Sequence, residues 1–417
     1  MQKFVIEGGQ ELKGEIAVSG AKNAALKFIV ASMLSTEQST FTNVPDIEEV
    51  NRLLELCSFV GSEVSRDDGQ VKIQTKEITN INLDPELVKK IRVSVLLLAP
   101  LLARKGEVHM PHPGGCAIGQ RPIDLFIQGF EKFGVTITEN AQGYHFKADK
   151  LRGMKFVFPI VSVTVTETLM MAATLAEGKT ILKNSACEPE IPALADYLNR
   201  CGAKITGAGT NTIEIEGVAS LSASSAEIMP DRVEAGSFTI LGALCGNPLR
   251  VTHCNPEHLE SLWTMFDKMG VDYKLGPDWV EVRKTDNIKA VDVVTHEYPG
   301  FITDLQQPVT VLLSQSKGMC MVHETIWEGR LFYTDKLKQM GAQIIMCDPH
   351  RVIVNGPSKL YGRRLESPDL RAGFALVLAG LVAEGTTIIE NIYQIDRGYQ
   401  HIEERLQKLG AKIKREE

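Results

Sequence analysis

Ile191-Pro192-Ala193-Leu194-Ala195-Asp196-Tyr197-Leu198-Asn199-Arg200-Cys201-Gly202-Ala203-Lys204-Ile205-Thr206 reads as a helix, a turn and a short strand. Ile191, Leu194, Ala195 and Leu198 recur at i, i+3, i+4 and i+7, which gathers apolar side chains on one helix face. Gly202 then suits a left-handed C-cap, since it has no Cβ to clash. The signature recurs at Phe59-Val60-Gly61-Ser62, Lys132-Phe133-Gly134-Val135, Lys268-Met269-Gly270-Val271, Gln339-Met340-Gly341-Ala342 and Lys408-Leu409-Gly410-Ala411. These glycines stand about 70 residues apart, longer than the repeats of solenoid proteins.

Each unit also carries a second helix that is apolar nearly all round, predicted at 24–34, 93–103, 169–175, 238–244, 309–313 and 374–383. A helix without a polar face belongs in the interior. β-branched runs such as Lys179-Thr180-Ile181-Leu182 and Thr386-Thr387-Ile388-Ile389 supply strands between the helices. The expectation is an α/β chain of six similar units, three per domain, with inner helices wrapped by sheets and outer helices.

Length and composition set the outer limits. A chain of 417 residues is long for one core, so two domains are expected. The net charge of −7 argues against a nucleic-acid coat, which needs a clustered basic excess. The apolar runs at 93–103 and 374–383 fall short of the roughly 20 residues that cross a bilayer, so no membrane insertion is expected. No apolar stretch follows Met1 as in a signal peptide, and the eight cysteines show no Cys-x-x-Cys pair. They read as reduced thiols of a cytoplasmic protein.

The inner helices are expected to open on Lys22-Asn23, Ile91-Arg92, Thr166-Glu167, Arg232-Val233-Glu234, Thr303-Asp304 and Asp369-Leu370-Arg371. Thr and Asp there can be plain caps. Lys and Arg cannot, because they oppose the helix dipole. Helix N-termini gathered with basic side chains make an anion site, so an anionic ligand between two lobes is expected.

Pro113-Gly114-Gly115-Cys116-Ala117-Ile118-Gly119-Gln120-Arg121-Pro122 places a cysteine among three glycines, the composition of a mobile loop. Arg121 favours the thiolate, whereas exclusion of water favours the thiol. On chemistry alone, a reactive Cys116 and a packed thiol stay equally open.

That loop, Ser19-Gly20-Ala21-Lys22-Asn23-Ala24-Ala25 and Ile395-Asp396-Arg397-Gly398-Tyr399 together resemble the UDP-N-acetylglucosamine 1-carboxyvinyltransferase family. Phe301-Ile302-Thr303-Asp304, Ser367-Pro368-Asp369-Leu370-Arg371-Ala372 and Ala383-Glu384-Gly385-Thr386-Thr387 support the resemblance, which runs the whole chain in order. It implies transfer of the enolpyruvyl group of phosphoenolpyruvate to the 3′-hydroxyl of UDP-N-acetylglucosamine with release of phosphate, the first committed step of peptidoglycan synthesis. It implies no cofactor and sensitivity to fosfomycin. The implied fold is two inside-out α/β barrel lobes, each of three units. One lobe would span 22–229 and carry the Cys116 loop; the other would combine 1–21 with 230–417, with the active site in the cleft.

By resemblance, Cys116 is the acid that protonates C3 of phosphoenolpyruvate and can form a phospholactoyl adduct. Asp304 matches the base for the sugar hydroxyl, beside its alternative as a helix cap. Lys22, Arg121 and Arg397 match residues that hold the phosphate and carboxylate, and Arg92 and Arg371 line the same cleft. Arg397 has a plainer reading as the local partner of Asp396. Asn23 and Asp369 are implied to orient the substrates, although Asp369 also suits a cap for the following helix. Arg121, Pro122, Ile123, Asp124 and Leu125 match the uridine-binding stretch. Ser162, Val163 and Thr164 match the loop near the diphosphate, and Ile326 an apolar contact to the sugar nucleotide.

The sequence departs from the family pattern at Phe126, Ile160, Thr164, Thr168 and Gly329, all on the nucleotide side. That leaves two rivals open: a 5-enolpyruvylshikimate-3-phosphate synthase-like transferase, which would lack the Gly-Gly-Cys loop, and a UDP-sugar-binding regulator that has lost catalysis. His109-x-x-His112-x3-Cys116 and His253-Cys254…His258 hint at metal ligation, but neither offers a fourth ligand, and no metal is expected. Gly207-Ala208-Gly209 lacks the Lys-Ser/Thr of a phosphate loop and reads as a hairpin turn.

Overall fold

The computed structural model describes residues 2–114 and 123–417. They form two compact units, one of residues 2–19 and 230–417, the other of 20–114 and 123–229. Each unit has its own hydrophobic core.

All six repeat glycines end a helix and precede a strand. Their φ angles are 122° at Gly61, 90° at Gly134, 101° at Gly202, 76° at Gly270, 111° at Gly341 and 100° at Gly410. The strands that follow are Glu63–Asp67, Thr136–Asn140, Lys204–Thr206, Tyr273–Leu275, Gln343–Asp348 and Lys412–Glu416. A side chain at any of these positions is strained by the positive φ, and further where the surroundings are crowded. A Cβ on Gly61 would lie 2.6 Å from the Glu77 carbonyl oxygen, whereas one on Gly134 would meet nothing within 4 Å. Gly134→Ala is therefore expected to cost about 1–2 kcal/mol of left-handed strain. Gly61→Ala should add about 1–3 kcal/mol of overpacking to that. Denaturant midpoints of the two variants check the order, and equal midpoints would remove the steric argument.

The inner helices are Lys22–Ser32, Leu98–Lys105, Val163–Ala173, Arg232–Cys245, Gln306–Ser314 and Leu370–Val382, three to a unit. Leu370–Val382 is buried from Arg371 to Leu381 without a break. Each fully buried large aliphatic or Phe side chain contributes about 1.5–3 kcal/mol relative to exposure. In the unit of residues 2–19 and 230–417 the three inner helices pack on one another.

Strands flanking an inner helix pair in parallel, as a helical crossover allows. Lys155–Val157 pairs with Lys179–Lys183 across Val163–Ala173, and Arg364–Glu366 with Thr386–Glu390 across Leu370–Val382. At the crossings the pairing is exchanged. Leu12–Ala17, which precedes Lys22–Ser32, pairs with Gly246–Thr252, while Ser225–Glu227 pairs with Gln38–Thr42. Lys3–Glu7 lies antiparallel between Thr386–Glu390 and Lys412–Glu416, with Phe4 and Ile6 fully buried. The Gly207–Gly209 segment turns between antiparallel strands, as expected of a hairpin.

Two helix readings need correction. The helix expected at 93–103 is a 3₁₀ segment, Arg92–Leu97, followed by Leu98–Lys105. Pro100 is the reason: within an α-helix its ring would clash with the carbonyl four residues back. Pro308 stands likewise third in Gln306–Ser314, after the 3₁₀ turn Thr303–Leu305. Thr166-Glu167 does not open its helix either. The helix starts at Val163, so both residues sit a turn inside and are fully buried.

Candidate active site

Within the unit of residues 20–114 and 123–229, Lys22 and Asn23 are the first two residues of Lys22–Ser32. No side chain caps this helix, and a lysine there opposes the dipole. Lys22 Nζ donates to Glu49 Oε2 at 2.7 Å, and both side chains are largely buried. Arg92 opens the 3₁₀ turn Arg92–Leu97, which packs on Lys22–Ser32 and Val163–Ala173. Asp124 begins Asp124–Lys132, with Ile123 buried before it and Leu125 half-buried after it. Arg92 and Asp124 both act on the Tyr144 hydroxyl, whose pKa is raised, mainly by burial and then by Glu139. Tyr144 was not read from the sequence as a site residue.

Ser162 is extended and precedes Val163 and Thr164, the first residues of a helix with no side-chain cap. The Thr168 hydroxyl donates to the Thr164 carbonyl at 2.7 Å, so these two departures from the family pattern are one local arrangement. Phe126 is buried in the core, and Ile160 is 66% exposed. One turn further in, burial pushes the Glu167 carboxyl up to about 8, opposed by Lys27, whose Nζ lies 3.3 Å away. Cys116, Arg121 and Pro122 lie outside the described residues.

In the other unit the expected residues converge more tightly. Asp304 does not cap its turn. Its Oδ1 accepts from Arg330 Nη2 at 2.6 Å and its Oδ2 from Arg371 Nε at 3.0 Å. Arg330 and Arg371 are buried, while the Asp304 side chain keeps 24% of its surface exposed. A carboxylate shared by two guanidinium groups is oriented and charge-compensated.

A ring of partners fixes the arrangement. Arg330 Nη1 donates to the Thr303 hydroxyl at 2.7 Å, and that hydroxyl donates to Glu324 at 2.8 Å. Glu324 also accepts from the amides of Ile326, at 2.9 Å, and Trp327. Ile326 is thereby tied to the Asp304 cluster through Glu324 and Thr303. Arg371 Nη1 lies 3.4 Å from the Tyr399 hydroxyl, and Tyr399 stacks on Phe374 with centroids 4.3 Å apart. Burial raises the Tyr399 pKa, opposed by Arg371. The Arg371 Nη2 group is buried with no hydrogen-bond partner among the described residues.

Asp369 is a cap, accepting from the amides of Arg371 at 2.9 Å and Ala372 at 3.0 Å. Arg397 follows Tyr393–Asp396 and donates to Gln394 Oε1 at 3.0 Å, while Asp396 binds Arg415 at 2.8 Å. Arg330, Thr303, Glu324 and Tyr399 were missed as members of the site. The Thr303-Asp304 pair and Glu328-Gly329-Arg330 carried part of the signal, but nothing local joins residues 26 apart.

The chain compares with known proteins along its whole length. The EPSP synthase (3-phosphoshikimate 1-carboxyvinyltransferase) family matches residues 6–406. A UDP-N-acetylglucosamine 1-carboxyvinyltransferase of Koribacter versatilis is 45% identical, covering 100% of this chain and 96% of the relative. One from Halothermothrix orenii is 45% identical with 100% of both chains covered. The crystal structure of the enolpyruvyl transferase NikO from Streptomyces tendae superposes with a TM-score of 0.91 at 25% identity, covering 99% of this chain and 98% of that one. An EPSP synthase from Acinetobacter baumannii has a TM-score of 0.77 at 18% identity, covering 100% of both chains, and shares the fold.

Proposed function

Because the chain belongs to the UDP-N-acetylglucosamine 1-carboxyvinyltransferase family, within the wider EPSP synthase family, we propose that it moves the enolpyruvyl group of phosphoenolpyruvate onto the 3′-hydroxyl of UDP-N-acetylglucosamine. The product enters peptidoglycan synthesis. The observation that carries this reading is Asp304, an oriented carboxylate with one accessible edge, held between Arg330 and Arg371.

The chemistry follows from the groups. Cys116 gives a proton to C3 of phosphoenolpyruvate, which makes C2 electrophilic. Asp304 accepts the proton of the sugar 3′-hydroxyl as its oxygen bonds to C2. Loss of a C3 proton and of phosphate from C2 then leaves the enol ether. In a side path, the Cys116 sulfur bonds to C2 and holds a phospholactoyl adduct. Lys22, Arg121 and Arg397 neutralise the phosphate and carboxylate of phosphoenolpyruvate, for which guanidinium forks are suited, and Arg92 and Arg371 add positive charge beside them. Asn23 and Asp369 orient the substrates; Asp369 does so while capping its helix. The uncapped start of Val163–Ala173, at Ser162, Val163 and Thr164, offers backbone N–H groups to the diphosphate. Ile123, Asp124, Leu125 and Pro122 take the uridine, and Ile326 the sugar face.

Phosphate release should require both phosphoenolpyruvate and UDP-N-acetylglucosamine in a coupled assay. Turnover with 3-phosphoshikimate in place of the sugar nucleotide would overturn the acceptor. Binding of the sugar nucleotide without any release would overturn the reaction.

A further inference from the structure

We propose that Glu107, His109 and His145 form a binding site for one divalent transition-metal ion of the zinc class, on the solvent face of the three-stranded sheet. Glu107–Pro111 pairs antiparallel with Gly143–Lys147, with His109 opposite His145 and Glu107 opposite Lys147. Side chains two residues apart on a strand share a face, so the ladder places all three ligands together. The two imidazole rings are parallel, with centroids 4.1 Å apart and planes inclined by 3°. Glu107 Oε1 lies 2.8 Å from His145 Nε2 and 4.0 Å from His109 Nε2. The three ligand atoms all lie within 4.8 Å of one another.

A tetrahedral ion with bonds of about 2.0–2.2 Å draws its ligand atoms to roughly 3.5 Å from one another. The ladder fixes the backbones, and because imidazole lone pairs lie in the ring planes, binding would turn His109 and His145 out of their stack to aim both at the ion. His109, Glu107 and His145 are 46%, 30% and 29% exposed, which leaves room for that rotation and for water as a fourth ligand. Two imidazoles and one carboxylate form a borderline nitrogen–oxygen set. It suits zinc, cobalt, nickel and copper, and it does not suit magnesium or calcium, which take oxygen.

The hydrogen bond from His145, together with Lys147, holds the Glu107 carboxyl below its usual range. Lys147 Nζ, 3.5 Å from Glu107, is the cation the metal must displace. His112, the partner suggested by sequence spacing, is engaged elsewhere: its Nε2 lies 3.1 Å from the Asn140 carbonyl. A bound ion would cross-link the two strands, and tighter binding to the folded than to the unfolded chain stabilises by mass action.

The test is calorimetric titration of Zn²⁺ into the full chain, alongside thermal midpoints. One equivalent should bind, and the midpoint should rise with Zn²⁺. His109→Ala and His145→Ala should each weaken binding at least about tenfold, or about 1.4 kcal/mol. His112→Ala should leave it unchanged, and Lys147→Met should tighten it. Co²⁺ bound in place of Zn²⁺ should show no thiolate charge-transfer band, and Cys347→Ser and Cys116→Ser should bind Zn²⁺ as the parent does. Unchanged binding in a folded His109→Ala/His145→Ala double variant, loss in either Ser variant, or no saturation at millimolar Zn²⁺ would each overturn the site.

Discussion

Asp304→Asn is expected to slow phosphate release by about 10²- to 10⁴-fold, the range that a positioned general base contributes. The substitution keeps the shape and removes the basicity. The amide can offer its oxygen to one guanidinium, Arg330 or Arg371, but faces the other with its NH₂. Removing one partner of a buried charge pair costs about 3–5 kcal/mol. The partial exposure of Asp304 and the retained amide oxygen place this variant toward the lower end. Stability and catalysis must therefore be read separately. A thermal melt establishes that the variant is folded at the assay temperature. The loss should then fall on kcat, with KM for the sugar nucleotide little changed. A folded Asp304→Asn protein at the parent rate would end the base assignment, leaving Asp304 as a structural counter-ion to two arginines. Arg330→Lys gives the complementary result: it keeps the charge but loses the fork that reaches Asp304 and Thr303 together, so kcat should fall while folding is largely kept.

Cys116→Ala should abolish most turnover, again by about 10²- to 10⁴-fold, because C3 of phosphoenolpyruvate loses its acid. Cys116→Ser should fare little better, since a hydroxyl is a far weaker acid than a thiol. Cys116→Asp should retain activity, because a carboxylic acid still donates a proton. It should also resist fosfomycin, which has no sulfur left to alkylate. Mass spectrometry adds a second readout: the parent should carry a fosfomycin adduct on the peptide containing Cys116, and the Asp variant none. Parent-level turnover in Cys116→Ala would sink the acid role whatever the inhibitor does.

The architecture was open to a sequence reading because its causes are local and repeated. A glycine after an amphipathic helix has one favoured outcome, and it occurred at Gly61, Gly134, Gly202, Gly270, Gly341 and Gly410 alike. Helices apolar on every side can only be interior, and Leu370–Val382 is. Local reading failed where a competing local rule intervened. Pro100 turned half of an expected helix into a 3₁₀ segment. Val163-Thr164-Val165 already belongs to the helix that Thr166-Glu167 was expected to start.

The site divides along the same line. Motifs supplied Asp304, Arg371 and Asp369 as candidates, but not their relations. That Asp304 pairs with guanidinium groups rather than capping its turn depends on Arg371, 67 residues away, whereas Asp369 caps its helix through amides only two and three residues on. His109 shows the point most plainly. Spacing along the chain paired it with His112, whereas strand register pairs it with His145. By itself, then, the sequence determined the repeat, the glycine-marked helix C-termini, the interior helices and the residue types available for chemistry. Only the tertiary structure decided which side chains meet, because side-chain contacts depend on distances between strands and helices that follow from packing, not from separation along the chain.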